Sequence, residues 1–391
     1  MTGLLSGVKI LDVGKRISGP YCARTLANMG ADVIKVEPPE GDESRRMGPF
    51  PPDGPHPEKS GLFLALNANK QGVTLDLTAE DGVIAFLELA RAADIVIDNQ
   101  PLGHLDSLGI GYDVLSETNP GIIVTSITPF GNRGLNMNWK ATDLTIFHMS
   151  GNATGLLGPV EDPDTEPPIR AGGHQSEFVA GMAATTATLM ALFQKRMTGK
   201  GSHVDVSEYE AMVTQTIAGL ASSAYGRPNP SRSLKEAREA SAIGGVLPTT
   251  DGYVAISPRE DAQWARWLEV MENPDWAEDE RFATRQARQS NNTELWELLS
   301  QWSRQYSKHD IARWGQDKRI PCFAVNTIAD LLENEHLAVR EFFLEIDHPV
   351  AGTLKYPGAP YRFSNTPLPL DARPAPLLGE HNQEILEGLE S

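Results

Sequence analysis

Over the first part of the chain, short apolar runs alternate with segments of helical spacing. Residues 8–13 (Val-Lys-Ile-Leu-Asp-Val) predict a strand, residues 14–20 a turn, and residues 21–29 a helix closed by Gly30. Residues 32–37 predict a second strand, which completes a βαβ unit. Further strands are expected at residues 72–77, 94–98 and 122–127. Thr78 with Asp81 forms a near-capping box for a helix ending around Ala93. Residues 41–60 are rich in Gly, Pro and charge and read as a long loop. The alternation of strand and helix predicts an α/β fold with a Rossmann-like parallel sheet.

Beyond that, residues 178–196 lack Pro, are apolar or small, and end in Lys195-Arg196 before Gly199, which predicts a helix with an ordinary stop. A small-residue helical segment covers residues 211–223 and a linker residues 227–231, followed by a polar stretch to residue 240. A turn and strand at residues 250–256 precede amphipathic helices at residues 264–271 and 292–306, where Trp296, Leu299 and Trp302 share a face and read as core. The domains expected are residues 1–225, a large Rossmann-like part; residues 232–330, a smaller α+β domain; and residues 331–391, a C-terminal segment.

With 391 residues the chain can bury two cores. Its 52 acidic against 34 basic residues give a net charge of -18, which argues against nucleic acid or an anionic membrane as partner. Cys22 and Cys322 suggest neither a disulfide framework nor a metal cluster. The first residues lack a signal-peptide pattern, and no apolar run approaches ~18 residues, so a cytoplasmic protein without a membrane span is expected.

Two stretches carry candidate chemistry. The turn Gly14-Lys15-Arg16-Ile17-Ser18-Gly19-Pro20 does not match the dinucleotide fingerprint G-x-G-x-x-G, yet it falls at the C-terminal edge of the expected sheet, where ligands bind. Lys15 and Arg16 are placed there to meet phosphates, or are merely solvated. The second stretch is the glycine-containing loop Arg170-Ala171-Gly172-Gly173-His174-Gln175-Ser176, which delivers Glu177 to a helix start. A helix N-terminus favours negative charge. The small residues Ala180, Gly181, Ala183 and Ala184 let a ligand or another backbone come close. The plainer reading of the same residues is a tightly packed helix with a favourable acid at its start.

The order Gly-loop, acid, aromatic, Ala180-Gly181, Ala-rich helix, Arg196-Met197-Thr198-Gly199-Lys200-Gly201 and Val204-Asp205-Val206-Ser207 resembles the central signature of the class III CoA-transferases, a family that includes alpha-methylacyl-CoA racemase. Gly19-Pro20, Asn69-Lys70, Asp94-Ile95-Val96 with Asn99, Asn119-Pro120 and Ala375-Pro376-Leu377-Leu378-Gly379-Glu380-His381 extend the likeness to about residues 5–390. The resemblance implies a large domain built from both chain ends and an interlocked homodimer. It implies CoA contacts at Ile17, Ser18, Lys70, Asn99 and Gln100, with later positions at Ser107 and Thr128, neither of them basic. Pro38 stands where such proteins can carry Arg, so Arg16, Lys35, Arg45 or Arg46 are candidate substitutes.

The implied activity moves CoA from an acyl-CoA to a small carboxylic acid, with the thioester as substrate and no permanently bound cofactor. Glu177 holds the place of the family's nucleophilic Asp, either as nucleophile or as a relic. His174 and Gln175 are candidates to bind the acceptor carboxylate or an oxyanion. Alternatives are a non-catalytic partner subunit of a hetero-oligomer, and a racemase, which Thr142-Asp143 disfavours because the expected His-Asp base is missing. Only Gly244-Gly245 stand where the family carries a glycine-rich loop that closes over the intermediate.

Overall fold

The computed structural model describes all residues except 1–2, 157–158, 161, 163–164, 228–232, 235–244, 259, 367, 369–371 and 390–391. The Gly244-Gly245 reading therefore falls partly outside the described residues; Gly245 begins a strand. The chain separates into two compact units, one of residues Met1–Ala153, Arg170–Pro228 and His336–Ser391, the other of Thr154–Ile169 and Asn229–Glu335. Residues 154–169 thus join the second unit, a crossing that composition did not signal.

In the first unit the order is β1 (Lys9–Asp12), α1 (Ser18–Asn28), β2 (Asp32–Glu37), α2 (Gly61–Asn67), β3 (Gln71–Thr74), α3 (Glu80–Arg91), β4 (Ile95–Asp98), α4 (His104–Ser107), α5 (Tyr112–Thr118), β5 (Ile123–Thr128) and α6 (Asp143–Met149). After α7 (Asn152–Gly155) and the short β6 (Pro159–Val160) come α8 (Gln175–Thr198), β7 (Ser202–Ser207) and α9 (Glu208–Val213). Six strands form one parallel sheet in the order β3-β2-β1-β4-β5-β7. Alternate residues of each strand enter opposite cores. Ile10, Ile95, Ile97, Ile123 and Ile127 pack with α1 and α8, whereas Leu11, Val96 and Val124 pack with α3 and α5. Helices on both faces explain why these strands read as continuous apolar runs.

Several boundaries differ from expectation for local reasons. Helix α1 begins at Ser18, because Pro20 in a first turn needs no amide hydrogen bond. Helix α8 begins three residues early, at Gln175. The Thr78–Asp81 capping box does not form: Ala79 is the N-cap of α3, and the Thr78 amide and hydroxyl both donate to Asp76. The loop at 41–60 is tied down, with Arg45 buried between Glu37 and Glu58 and its Nη2 donating to the Pro376 carbonyl. The C-terminal segment covers the outer edge of β3: the His381 amide donates to the Gly72 carbonyl, and Asn382 accepts from the Thr74 amide at 2.8 Å.

Helix α8 is 24 residues long and, among the described residues, the one helix apolar enough to cross a membrane by length and composition, contrary to the reading of the sequence by runs. Half of it is buried, against α1, β5 and β7. A Cβ added at Gly181 would stand 2.8 Å from the Ser18 carbonyl oxygen and 3.0 Å from the Tyr21 ring, so the small-residue stripe admits a neighbouring backbone. The second unit carries an antiparallel sheet of Gly245–Thr249, Gly252–Ile256 and Cys322–Ala324. Its core includes Trp267, Leu295, Leu299 and Ile311, with Trp296 and Trp302 packed against it as expected. Gly181→Val is expected to destabilise the protein by about 1–3 kcal/mol, read as a lowered midpoint of chemical denaturation, because α1 and α8 cannot both keep their places.

Candidate active site

The turn between β1 and α1 rests on buried charge. Asp12, fully buried, accepts from Lys70 Nζ at 2.7 Å and from the Gly14 amide at 3.0 Å. Lys35 Nζ lies 2.9 Å from Asp42 and also donates to the Gly14 carbonyl. Asp42 in turn accepts from the Arg16 amide at 3.1 Å and from the amide and hydroxyl of Ser44. Burial alone would raise the Asp42 carboxyl, but Lys35 and the Ser44 donors hold it well below the usual carboxylate range. Burial lowers the Lys70 ammonium to about 8 against the pull of Asp12. Asn99 clamps the turn from β4, accepting from the Lys15 amide and donating to the Lys15 carbonyl and Ser18 Oγ. Held this way, Arg16 adopts the left-handed conformation with φ 59°, a strained state for a non-glycine residue that turns its side chain out of the sheet edge.

The guanidinium meets the start of α8. Gly173 (φ 85°) and His174 (φ 54°) are both left-handed and swing the loop sharply into the helix. Asp143 of α6 fixes that start, accepting from the Ser176 amide at 2.9 Å and its hydroxyl at 2.6 Å while pairing with Arg170 at 2.9 Å. Glu177 then presents its carboxylate between His174 and Arg16: Oε2 is 2.9 Å from His174 Nδ1, and Oε1 forms an ion pair with Arg16 Nε at 3.6 Å. Its side chain is 11% exposed, enough for one face to be reached. The helix start and Arg16 both favour negative charge there. A further acid, Glu208, begins α9 directly after β7 at the same edge of the sheet. Burial, then the charge of Glu177, raises it to about 7.

Beside this group lies a cavity of about 490 Å³ at the C-terminal ends of β1, β2, β3 and β4, lined among others by Gly14, Lys15, Pro38, Arg46, Gln100 and His104. It does not include Glu177; the turn carrying Lys15 and Arg16 joins the two. Burial and the Lys15 charge both lower His104.

Of the residues singled out from sequence, Glu177, His174 and Arg16 come together, and Arg16 faces a carboxylate where a phosphate was expected. Gln175 turns away, its Nε2 donating to the Gly172 carbonyl at 2.8 Å, so it does not join Glu177. Lys70 has no group to offer CoA: Asp12, the Pro20 carbonyl and Asn67 take its three protons. Lys35 and Arg45 are likewise consumed by buried acids. The Ile17 side chain is fully buried, and Thr128 is buried at the end of β5 outside the cavity lining. Ser18 and Asn99 serve the turn, while Gln100 lines the cavity and donates to the Val13 carbonyl. Asp143, Arg170 and Glu208 were not assigned a role from sequence. For Glu208 the signal was there, an acid directly after the strand end Val204-Asp205-Val206-Ser207, on the edge where ligands bind. Among the described residues no group of three or more potential metal ligands occurs.

Three comparisons bear on this arrangement. The model of CoA-transferase family III matches residues 5–382. The succinyl-CoA:(R)-benzylsuccinate CoA-transferase subunit BbsE of Thauera aromatica is 35% identical over 94% of this chain and 90% of its own. The succinyl-CoA:mesaconate CoA-transferase of Haloarcula hispanica is 29% identical over 98% and 96%. A crystal structure of a CAIB/BAIF family protein from Brucella suis superposes with a TM-score of 0.88 at 30% identity, covering all of both chains.

Lys70→Ala is expected to cost about 3–5 kcal/mol of stability by stranding the Asp12 charge, measured by denaturant unfolding. A loss of acyl-CoA affinity without a loss of stability would instead assign Lys70 to ligand binding.

Proposed function

We propose that this chain, which belongs to CoA-transferase family III and transfers CoA between an acyl-CoA and a carboxylate, does so with Glu177 as its covalent nucleophile, succinyl-CoA as donor and a second dicarboxylic acid as acceptor. The observation that carries the reading is the Glu177 carboxylate, reachable on one face and held between His174 and Arg16 at a helix start. Its oxygen attacks the thioester carbon, giving a mixed anhydride and CoA thiolate. The thiolate attacks the Glu177 carbonyl, releasing the donor acid and leaving a Glu177–CoA thioester. The acceptor carboxylate repeats the steps in reverse. Splitting the transfer this way replaces one hard step by easier ones.

Arg16, 44% exposed beside Oε1, is positioned to hold the carboxylate that leaves or enters, and His174 to steady the oxyanion. The cavity at the sheet edge suits the nucleotide end of CoA, with Lys15 and Arg46 for its phosphates. The named relatives act on succinyl-CoA with benzylsuccinate or mesaconate, which supports a dicarboxylate acceptor. The likeness to a protein named as a subunit supports a second reading, in which this chain works only beside a different partner of the same family.

Exchange of labelled succinate into succinyl-CoA tests the first reading without knowledge of the natural acceptor. Hydroxylamine added with succinyl-CoA is expected to leave a hydroxamate on Glu177, and Glu177→Gln to lose both exchange and hydroxamate. Glu177→Asp is expected to lose about 100-fold, since it withdraws the oxygen by ~1 Å in a site shaped for Glu. Exchange that appears only after mixing with a second family member would favour the subunit reading.

A homodimer belongs to the same proposal. Met182, Met190, Phe193 and Met197 form an exposed apolar stripe along α8, and Ile217 and Leu220 are exposed in the helix Ile217–Ala224. Such a patch suits a second copy of the chain. Phe193→Glu with Met197→Glu is expected to halve the mass seen by light scattering; an unchanged mass would remove α8 from the interface.

A further inference from the structure

We propose that a second cavity of the first unit, at the opposite edge of the sheet from Glu177, is a binding site for a small monocarboxylate with a flat apolar body. The cavity measures about 200 Å³ and is lined among others by Asn28, Asn69, Arg340, Leu344, Tyr361 and Phe363. All of these belong to the unit that carries the parallel sheet. Asn28 ends α1 shortly before β2, and Asn69 lies just before β3, so the cavity sits where the strands begin. Glu177 and the larger cavity occupy the edge where the strands end. The inference therefore stands whether or not Glu177 is the nucleophile.

The walls are held in place by hydrogen bonds on both sides. Asn69 is left-handed, with φ 68°, and locked. Its amide donates to the Arg373 carbonyl at 3.0 Å, its Oδ1 accepts from the Arg373 amide at 2.7 Å, and its Nδ2 donates to Asn28 Oδ1 at 3.0 Å. Glu341, also in the lining, is left-handed too, with φ 50°. Arg362 Nη2 donates both to the Arg340 carbonyl and to the Glu341 carboxylate, which closes that side. Among the described residues seven non-glycine positions have positive φ. Two of them, Arg16 and His174, shape the candidate active site, and two more, Asn69 and Glu341, line this cavity. Backbone strain of this kind persists only where the surroundings over-determine it, and it gathers at ligand clamps.

The groups that the walls leave unpaired define the ligand. Glu341 balances Arg362 at 3.1 Å, and the side-chain amide of Asn69 is spent on Asn28 and Arg373. The Arg340 guanidinium pairs with no described residue, and neither does the side-chain NH2 of Asn28. The cavity thus offers one uncompensated positive charge on a planar fork, with a neutral amide donor beside it. A carboxylate matches such a fork through two parallel hydrogen bonds. A phosphate dianion brings a second negative charge, which the Glu341 carboxylate in the wall opposes. Leu344, Tyr361 and Phe363 form the apolar side. The two rings stand edge to face with centroids 5.8 Å apart, and Phe363 is left 42% exposed. Aromatic faces so placed take a flat apolar body. The volume is below the roughly 300 Å³ at which drug-sized ligands begin, so the occupant is small, of the size of a single-ring acid.

The experiment is isothermal titration of the full-length protein with phenylacetate, in the presence of excess CoA and succinate to occupy the Glu177 site. Phenylacetate is expected to bind one site per chain with a Kd of about 1 mM or below. Phenylacetamide keeps the ring without the charge, and it is expected to bind about 10-fold more weakly, as is phenyl phosphate. Arg340→Gln is expected to weaken phenylacetate about 10-fold or more, and Phe363→Ala about 5-fold. Both side chains are exposed, so an unchanged denaturation midpoint is expected for each variant and separates lost binding from lost fold. Arg16→Gln is expected to bind phenylacetate as the wild type does. The absence of saturable binding up to about 10 mM overturns the proposal. So does equal affinity for phenylacetamide, tighter binding of phenyl phosphate, or a loss that follows Arg16→Gln instead of Arg340→Gln.

Discussion

Everything at the sheet edge depends on the charge buried under the first turn. Asp12, Lys70, Lys35 and Asp42 neutralise one another in the interior, and their remaining valencies hold the Gly14 and Arg16 backbone. Such a cluster is no great source of stability, because desolvation offsets most of the attraction. What it supplies is position. A turn pinned through its amides and carbonyls can keep Arg16 left-handed, and only that conformation lets a residue of the β1–α1 turn confront one that begins α8.

The opposite side of the site is built by the same means. Asp143 reaches from α6 to satisfy the amide of Ser176, so the first turn of α8 is set by a residue more than thirty positions earlier. Gly181 lets α1 lie directly on that turn. His174 and Arg16, from the loop before α8 and the turn before α1, are thus brought to one carboxylate, that of Glu177.

The sheet was legible in the sequence because parallel strands covered on both faces are unbroken apolar runs, and Val8 to Val13, Ile95 to Ile97 and Ile122 to Ile127 are of that kind. Glu177 was legible because a glycine loop before an apolar helix advertises a helix start. The fate of the cations was not. Lys35, Arg45 and Lys70 look from sequence like phosphate ligands, and whether a lysine meets solvent or a buried acid depends on pairings 7 to 58 residues away. Glu208 carried a signal in its place after a strand end, but the neighbouring charge of Glu177 that raises it comes from a separate helix.

The C-terminal segment has a bearing on how the chain is made. Strand β3 is the sheet's outer edge, and its Gly72 and Thr74 amides are satisfied by His381 and Asn382, more than 300 residues later. A ribosome delivers the two partners far apart in time, so the nascent large unit carries an unpaired strand margin for most of synthesis. Such margins attract other chains. Until the tail arrives, the Gly72 and Thr74 amides of β3 lack these partners.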